Sequence, residues 1–334
     1  MASSRSKYDT PSLSNLLKAS ELSLESVSKL CMKAQEMKRL VATKGGDSRL
    51  QHRVLGSIFY EPSTRTSCSF TAAMMRLGGS VMPLNLETSS AKKGESLEDT
   101  IQTMACYCDA LVLRHPSQGS AALAARYSKK PIINAGDGAG EHPTQALLDV
   151  FTIFSEMGRV GDFELREEPF SVSSEAKTGT PMRIVMLGDL KHGRTVHSLS
   201  RLLSLFGDIH IEYVTPHPSL GMPVEIIEEL HAKGVPQTSG RTLEAAIGEA
   251  DVLYVTRIQK ERFKCEQEFE DACGSYCVDS SLMKKAKESM VVMHPLPRVN
   301  EISTDVDSDP RAAYFRQMEN GMYMRMALLD CMVA

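Results

Sequence analysis

Ser63-Thr64-Arg65-Thr66 puts three hydroxyls and a guanidinium into four consecutive residues, between a segment that reads as a strand (54–59) and one that reads as a helix (67–77). The N–H groups at a helix start have no intrahelical partner and favour an anion. A guanidinium can hold a phosphate through two parallel hydrogen bonds. Capping alone would explain the hydroxyls, so a phosphate site requires further partners. Arg114-His115-Pro116 directly follows the apolar 110–113, and His142-Pro143-Thr144-Gln145 follows the turn Gly136-Asp137-Gly138-Ala139-Gly140. The proline after His142 keeps that residue off the regular helix. The C-terminal ends of parallel strands share one edge, so Arg65, Arg114 and His142 can reach one place.

The elements that must position these groups alternate. Before the break at 161–181, strand patterns at 54–59, 81–86, 110–113 and 131–134 interleave with helical patterns near 20–40, 67–77, 97–108, 121–127 and 144–157. After it, strands at 183–187, 210–214, 252–256 and 290–293 interleave with helical patterns at 195–206, 224–233 and 243–247; segments 312–318 and 323–332 close the chain. Such alternation predicts an α/β protein with two doubly wound, largely parallel sheets. The expected domains are 1–150, 151–305 with 161–181 as a surface loop insertion, and a C-terminal helical segment 306–334 packing back on the first; 1–10 reads as a mobile tail.

At 334 residues the chain can build two cores, and 42% hydrophobic with 24% charged residues is ordinary for a soluble globular protein. A net charge of −4 argues against a nucleic-acid or acidic-membrane partner, and no apolar run reaches the length of a membrane span. Eight cysteines without a CxxC pair predict reduced thiols, a cytoplasmic location and no structural metal.

Phe59-Tyr60-Glu61-Pro62-Ser63-Thr64-Arg65-Thr66, followed in order by Gly136-Asp137-Gly138 and His142-Pro143-Thr144-Gln145, resembles the signatures of the aspartate and ornithine carbamoyltransferases. The resemblance runs from about residue 20 to the C-terminus. It implies a carbamoyl phosphate site formed by Ser63, Thr64, Arg65, Thr66, Arg114, His142 and Gln145 in the first half, with the active site in the cleft between two closing domains. Arg65, Thr66, Arg114, His142 and Gln145 are the implied catalytic groups.

The second half resembles the aspartate-specific branch. Arg194, in Gly188-Asp189-Leu190-Lys191-His192-Gly193-Arg194, and Arg257, in Thr256-Arg257-Ile258-Gln259, each follow a strand. Singly each would pass as a surface arginine; the resemblance assigns both to the carboxylates of aspartate, with Gln259 assisting. In His294-Pro295-Leu296-Pro297-Arg298 the backbone carbonyls of Leu296 and Pro297 are the implied acceptors for both substrates. Ser89 and Lys93, in a polar loop that otherwise reads as solvated, are implied to reach a neighbouring subunit's site, Lys93 touching both substrates; this implies a homotrimer. The expected function is carbamoyl transfer from carbamoyl phosphate to L-aspartate, an early step of pyrimidine synthesis, without metal or organic cofactor. The alternatives are an ornithine or other amino-acid carbamoyltransferase, whose Ser-Met-Gly and His-Cys-Leu-Pro motifs the chain lacks, a non-catalytic scaffold relative, and a dehydrogenase, for which GxGxxG is missing after the second-half strand. Regulatory chains and association with other pathway enzymes are left open.

Overall fold

The computed structural model describes residues 13–85, 89–163, 180–258 and 276–334. They divide into two compact units. The first runs to Leu147 and takes in residues 160–163 and Asn320–Ala334; the second holds Leu148–Arg159 and the described residues from 180 to 319.

In the first unit β1 (Val54–Phe59), β2 (Ser80–Leu84), β3 (Ala110–His115) and β4 (Ile132–Asp137) form a parallel sheet in the order β2-β1-β3-β4. Helices α1 (Leu24–Lys44), α2 (Thr64–Arg76), α3 (Leu97–Tyr107) and α4 (Ser120–Tyr127) alternate with the strands, and α5 (Pro143–Glu156) starts here, its residues from Leu148 on belonging to the second unit. The four interior residues of β1 and all six of β4 are buried, as expected for parallel strands covered on both faces. The outer edge of β4 is closed by Leu16, whose N–H donates to the Ile132 carbonyl while its own carbonyl accepts from Asn134. Helix ends follow local chemistry. Ser23 caps α1 by accepting from the Ser26 N–H, and the helix stops at Gly45, whose φ of 78° a side chain would resist.

In the second unit β5 (Met182–Leu187), β6 (Ile209–Val214), β7 (Gln237–Ser239), β8 (Val252–Val255) and β9 (Val291–Met293) form a parallel sheet in the order β7-β6-β5-β8-β9. Helices α6 (Arg194–Leu203), α7 (Val224–Ala232), α8 (Leu243–Ala246) and α9 (Ser280–Met283) accompany these strands, and α10 (Tyr314–Val333) starts here, its residues from Asn320 on belonging to the first unit. Leu187, Leu253, Val255, Val292, Ile302, Val306 and Tyr314 lie in one buried cluster. Each fully buried side chain of this size contributes about 1.5–3 kcal/mol.

Three elements differ from the sequence reading. β7 is Gln-Thr-Ser, three polar residues with no apolar alternation to announce them. The two closing segments are one helix, α10, in which Gly321 is buried. Helix α2 begins at Thr64, three residues earlier than its apolar pattern suggests, so Arg65 and Thr66 sit in its first turn. Most of the expected 161–181 loop and all of the expected 1–10 tail lie outside the described residues; residues 160–163 form a 3-10 turn. No helix among the described residues is long and apolar enough to cross a membrane.

Candidate active site

Both sheets have a point where the chain changes direction along the strand order. In the first, β1 leads outward to β2, and β3 then returns to the other side of β1. In the second, β5 leads out through β6 and β7, and β8 returns beside β5. The carboxyl ends of the two strands flanking such a point leave a crevice that parallel α/β sheets use for ligands.

In the first unit Phe59, at the end of β1, pairs with Arg114 near the end of β3. Arg65 enters from the β1 side and Arg114 from the β3 side. Arg65 has a lowered pKa, caused by partial burial and then by the positive charge of Arg114. Two guanidiniums close enough to oppose each other's charge form a site that an anion relieves. Burial also lowers the pKa of Arg114, against the opposing effect of Glu61, whose Oε2 stands 3.3 Å from its Nε without hydrogen-bond alignment. Ser63 occupies the N-cap position of α2, yet its side chain makes no capping bond. Capping therefore does not account for this hydroxyl. Thr66 is buried in the first turn, and Thr64 is exposed beside it.

The turn after β4 delivers His142 and Gln145. Leu113 pairs with Asn134 but His115 pairs with Asp137, so β4 carries an extra residue opposite Arg114. Gly136, one of the two residues there, has φ 117°, a backbone that side chains seldom adopt. At Gly138 a Cβ would stand 2.1 Å from the Pro116 carbonyl oxygen, so a side chain would push the two loops apart. Asp137 fastens the turn by accepting from the N–H groups of Gly119 and Glu141. The His142 carbonyl accepts from Gln145 and Ala146, and Pro143 fills the first helical position of α5, where a missing N–H costs nothing. His142 and Gln145 are both buried, and the His142 Nδ1 lies 3.3 Å from the Thr144 hydroxyl.

Ser89 and Lys93 come after the edge strand β2, around the 3-10 turn Ser90–Lys93; Ser89 is half-buried and Lys93 exposed.

In the second unit Leu187 pairs with Val255 and Tyr254 with Met293, which sets the ends of β5, β8 and β9 side by side. The segment after β5 begins with Gly188, at φ 120°, where a Cβ would meet the Thr256 carbonyl oxygen at 2.2 Å. It continues through Asp189, wholly buried, which accepts from the His192 N–H and faces its Nδ1 at 3.0 Å. The segment ends at Gly193, and Arg194 is the first residue of α6. Arg257 follows Thr256 beyond β8, and both arginines are half-buried. Leu296 and Pro297 follow β9, joined by a cis peptide, with Leu296 at φ 54°. Gln259 lies outside the described residues.

The sequence reading passed over one set of residues here. His294, Glu301, Gln317, Asp149 and Tyr254 are all buried and joined by hydrogen bonds of 2.7 to 3.0 Å. One signal was present: Asp149 is a carboxylate on the apolar stretch of α5, between buried Leu148 and Val150.

Residues 14–155 match the carbamoyl-P binding domain of the aspartate/ornithine carbamoyltransferases, and residues 181–332 match the Asp/Orn binding domain of the same family. The chain is 54% identical over 89% of its length to Multifunctional protein pyr1-3 of Dictyostelium discoideum, of which it spans 12%. It is 46% identical to the aspartate carbamoyltransferase catalytic subunit of Methanopyrus kandleri, covering 95% of this chain and 96% of that one. Among solved structures it resembles aspartate transcarbamoylase from Trypanosoma cruzi in complex with carbamoyl phosphate and aspartate, with a TM-score of 0.85, 42% identity, and coverage of 97% and 98% of the two chains. With both family domains matched in order and these relatives aligned over nine-tenths of its length, the chain belongs to the aspartate/ornithine carbamoyltransferase family.

Proposed function

We propose that this chain is an aspartate carbamoyltransferase, forming N-carbamoyl-L-aspartate and phosphate at an early step of pyrimidine synthesis. The observation that carries the reading is the pairing of arginines across both switch points: Arg65 with Arg114 in one unit, Arg194 with Arg257 in the other. Carbamoyl phosphate brings one doubly charged group, and aspartate brings two carboxylates. Two cations per sheet fit that pair of substrates. An ornithine acceptor, with one carboxylate and a second amine, leaves one arginine of the second unit unmatched. The Methanopyrus kandleri subunit and the Trypanosoma cruzi enzyme support the same acceptor.

In the proposed reaction the amine of aspartate attacks the carbonyl carbon of carbamoyl phosphate, and a tetrahedral intermediate expels phosphate. Negative charge grows on the former carbonyl oxygen, and Thr66, Arg114 and His142 donate to it; one such donor is worth about 2.7–4 kcal/mol of barrier. Gln145 holds the carbamoyl nitrogen. Ser63, Thr64, Arg65, Ser89 and Lys93 hold the departing phosphate, which accepts the amine proton. Lys93, Arg194, Arg257 and Gln259 bind aspartate, and the Leu296 and Pro297 carbonyls accept from the nitrogen donors of both substrates. Orientation of the two substrates supplies about 7–11 kcal/mol.

Ser89 and Lys93 act in a neighbouring copy's site, which makes a homotrimer the active unit. Exposed Met75, Met82 and Tyr107, on α2, the edge strand β2 and α3, support burial against another copy. The six cysteines among the described residues are free, which favours a reducing, cytoplasmic setting. The 1–150, 151–305 and 306–334 division remains part of this reading.

The test is carbamoyl transfer with aspartate and ornithine compared as acceptors. Carbamoyl aspartate made by the intact protein, and made by Arg257→Ala only with a KM for aspartate raised about 10- to 100-fold, is the expected result. A preference for ornithine would overturn the acceptor and keep the phosphate site, whereas no transfer to either would favour a non-catalytic relative.

A further inference from the structure

Leu296 is a branched residue at φ 54°, a left-handed backbone that L side chains seldom adopt and that surroundings must impose. The surroundings are His294 and Glu301. The Leu296 N–H donates to His294 Nδ1 at 2.8 Å, so Nδ1 carries no proton and Nε2 does. That Nε2 lies 2.8 Å from Glu301 Oε1 and donates to it. The other carboxylate oxygen of Glu301 accepts from the N–H groups of Val299 and Asn300, each at 3.1 Å. Prolines 295 and 297 have no N–H. One imidazole and one carboxylate therefore grip the segment on both sides of the Leu296–Pro297 peptide. The grip is anchored behind: the His294 N–H donates to Gln317 Oε1 at 3.0 Å, and Gln317 donates to Asp149 at 2.7 Å, which also accepts from Tyr254. His294 is 1% exposed and Glu301 7%, while Pro297 is exposed. A carboxylate this deeply buried is costly unless its oxygens are fully engaged. Burial opposes its ionisation, but the bonds from His294 and the backbone prevail and hold the Glu301 pKa below the ordinary value.

We propose that Glu301, together with the Nε2–H tautomer of His294 that it holds, is a positioning residue that sets the direction of the Leu296 and Pro297 carbonyls toward the reacting nitrogens. The inference rests on the reading that those carbonyls accept from the substrates. Neither Glu301 nor His294 touches substrate in this account; each acts through the backbone. Isosteric replacements separate the two bonds of the imidazole. Glu301→Gln keeps an oxygen for His294 but turns an NH2 group, which cannot accept, toward the Val299 and Asn300 N–H groups. His294→Asn keeps an acceptor near the Leu296 N–H and loses the link to Glu301. His294→Gln keeps a donor toward Glu301 and loses the acceptor.

The experiment measures steady-state kinetics for both substrates, carbamoyl phosphate binding by titration calorimetry, and thermal unfolding, on the full chain and each variant. Displacing reacting groups by about 1 Å costs on the order of 100-fold. For Glu301→Gln the expected result is kcat/KM for aspartate lowered about 10- to 100-fold, with carbamoyl phosphate affinity, which the first unit's donors mainly supply, falling much less. His294→Gln should be worse than His294→Asn. The Glu301→Gln/His294→Asn double variant should be worse than either single one, because the two remove different bonds of the same grip. If the intact chain carbamoylates aspartate and Glu301→Gln matches its kcat and KM, the positioning role is wrong and the site reading stands. Loss of carbamoyl phosphate affinity in proportion to activity, with early unfolding, would likewise overturn it, as a general structural role. If the intact chain transfers nothing to aspartate, the site reading fails and this inference falls with it.

Discussion

The carboxyl edge of the first sheet presents side chains, whereas that of the second presents arginines together with a held stretch of backbone. At the first edge Thr66, His142 and Gln145 are buried, and Arg65 feels the positive charge of Arg114. Such a site spends its electrostatic repulsion in advance and recovers it when a phosphate arrives. At the second edge Arg194, at the start of α6, and Arg257, beyond β8, are half-buried, and the peptide 296–297 is gripped by buried groups. The difference follows the ligands. A phosphate offers acceptors in several directions and is met by donors on helix starts. Nitrogen donors need acceptors, and a backbone carbonyl brings neither charge nor rotamer freedom, but it must be held in place from behind.

Four measurements could break or sharpen this contrast. Arg114→Ala should lower kcat about 100- to 1,000-fold, because it removes an oxyanion donor of the first edge. A change in the aspartate KM alone would place Arg114 with the other substrate. Arg257→Ala should raise the KM for aspartate about 10- to 100-fold, the value of one or two charged hydrogen bonds. Calorimetry should find its carbamoyl phosphate affinity unaltered; an equal loss of that affinity would erase the division of labour between the edges. Gly138→Ala and Gly188→Ala probe the tight loop approach at each edge, since a Cβ would stand 2.1 Å and 2.2 Å from a carbonyl oxygen. Each should cost about 2–3 kcal/mol, read as a lower midpoint in denaturant. An unchanged midpoint for one would show that its loop is loose.

The smallest effect concerns acid. Burial lowers the pKa of His115 in the first unit, and of His197 and His210 in the second. A histidine whose folded pKa is depressed contributes stability that is complete above its unfolded value of about 6.5. That stability is lost as pH falls through the folded value, because the unfolded chain takes up the proton first. The chain should therefore lose stability progressively below about pH 6.5. His197→Gln should flatten the dependence more than His210→Gln, since His197 is much more deeply enclosed. Identical slopes for both would remove burial as the cause.

Much of this was legible in the residues. The strand 54–59 coincides with β1, and its neighbours fall within a few residues of their observed ends, because apolar runs between polar turns record local periodicity. Arg65, Arg114, Arg194 and Arg257 could be placed after strands for the same reason. β7 escaped because Gln-Thr-Ser becomes a strand only by pairing with β6. The Glu301–His294 bond escaped because nothing in a seven-residue separation signals contact. Asp149 and Gln317 are 168 positions apart, and no local rule joins them.

The sequence by itself determined the alternation of strands and helices and the chemistry carried at each turn, since both depend on neighbours a few residues away. Only the tertiary structure decided that β3 returns beside β1 and β8 beside β5. That order depends on which apolar faces bury against each other over long separations, and it is what sets Arg65 near Arg114 and brings the strand ends that Arg194 and Arg257 follow side by side.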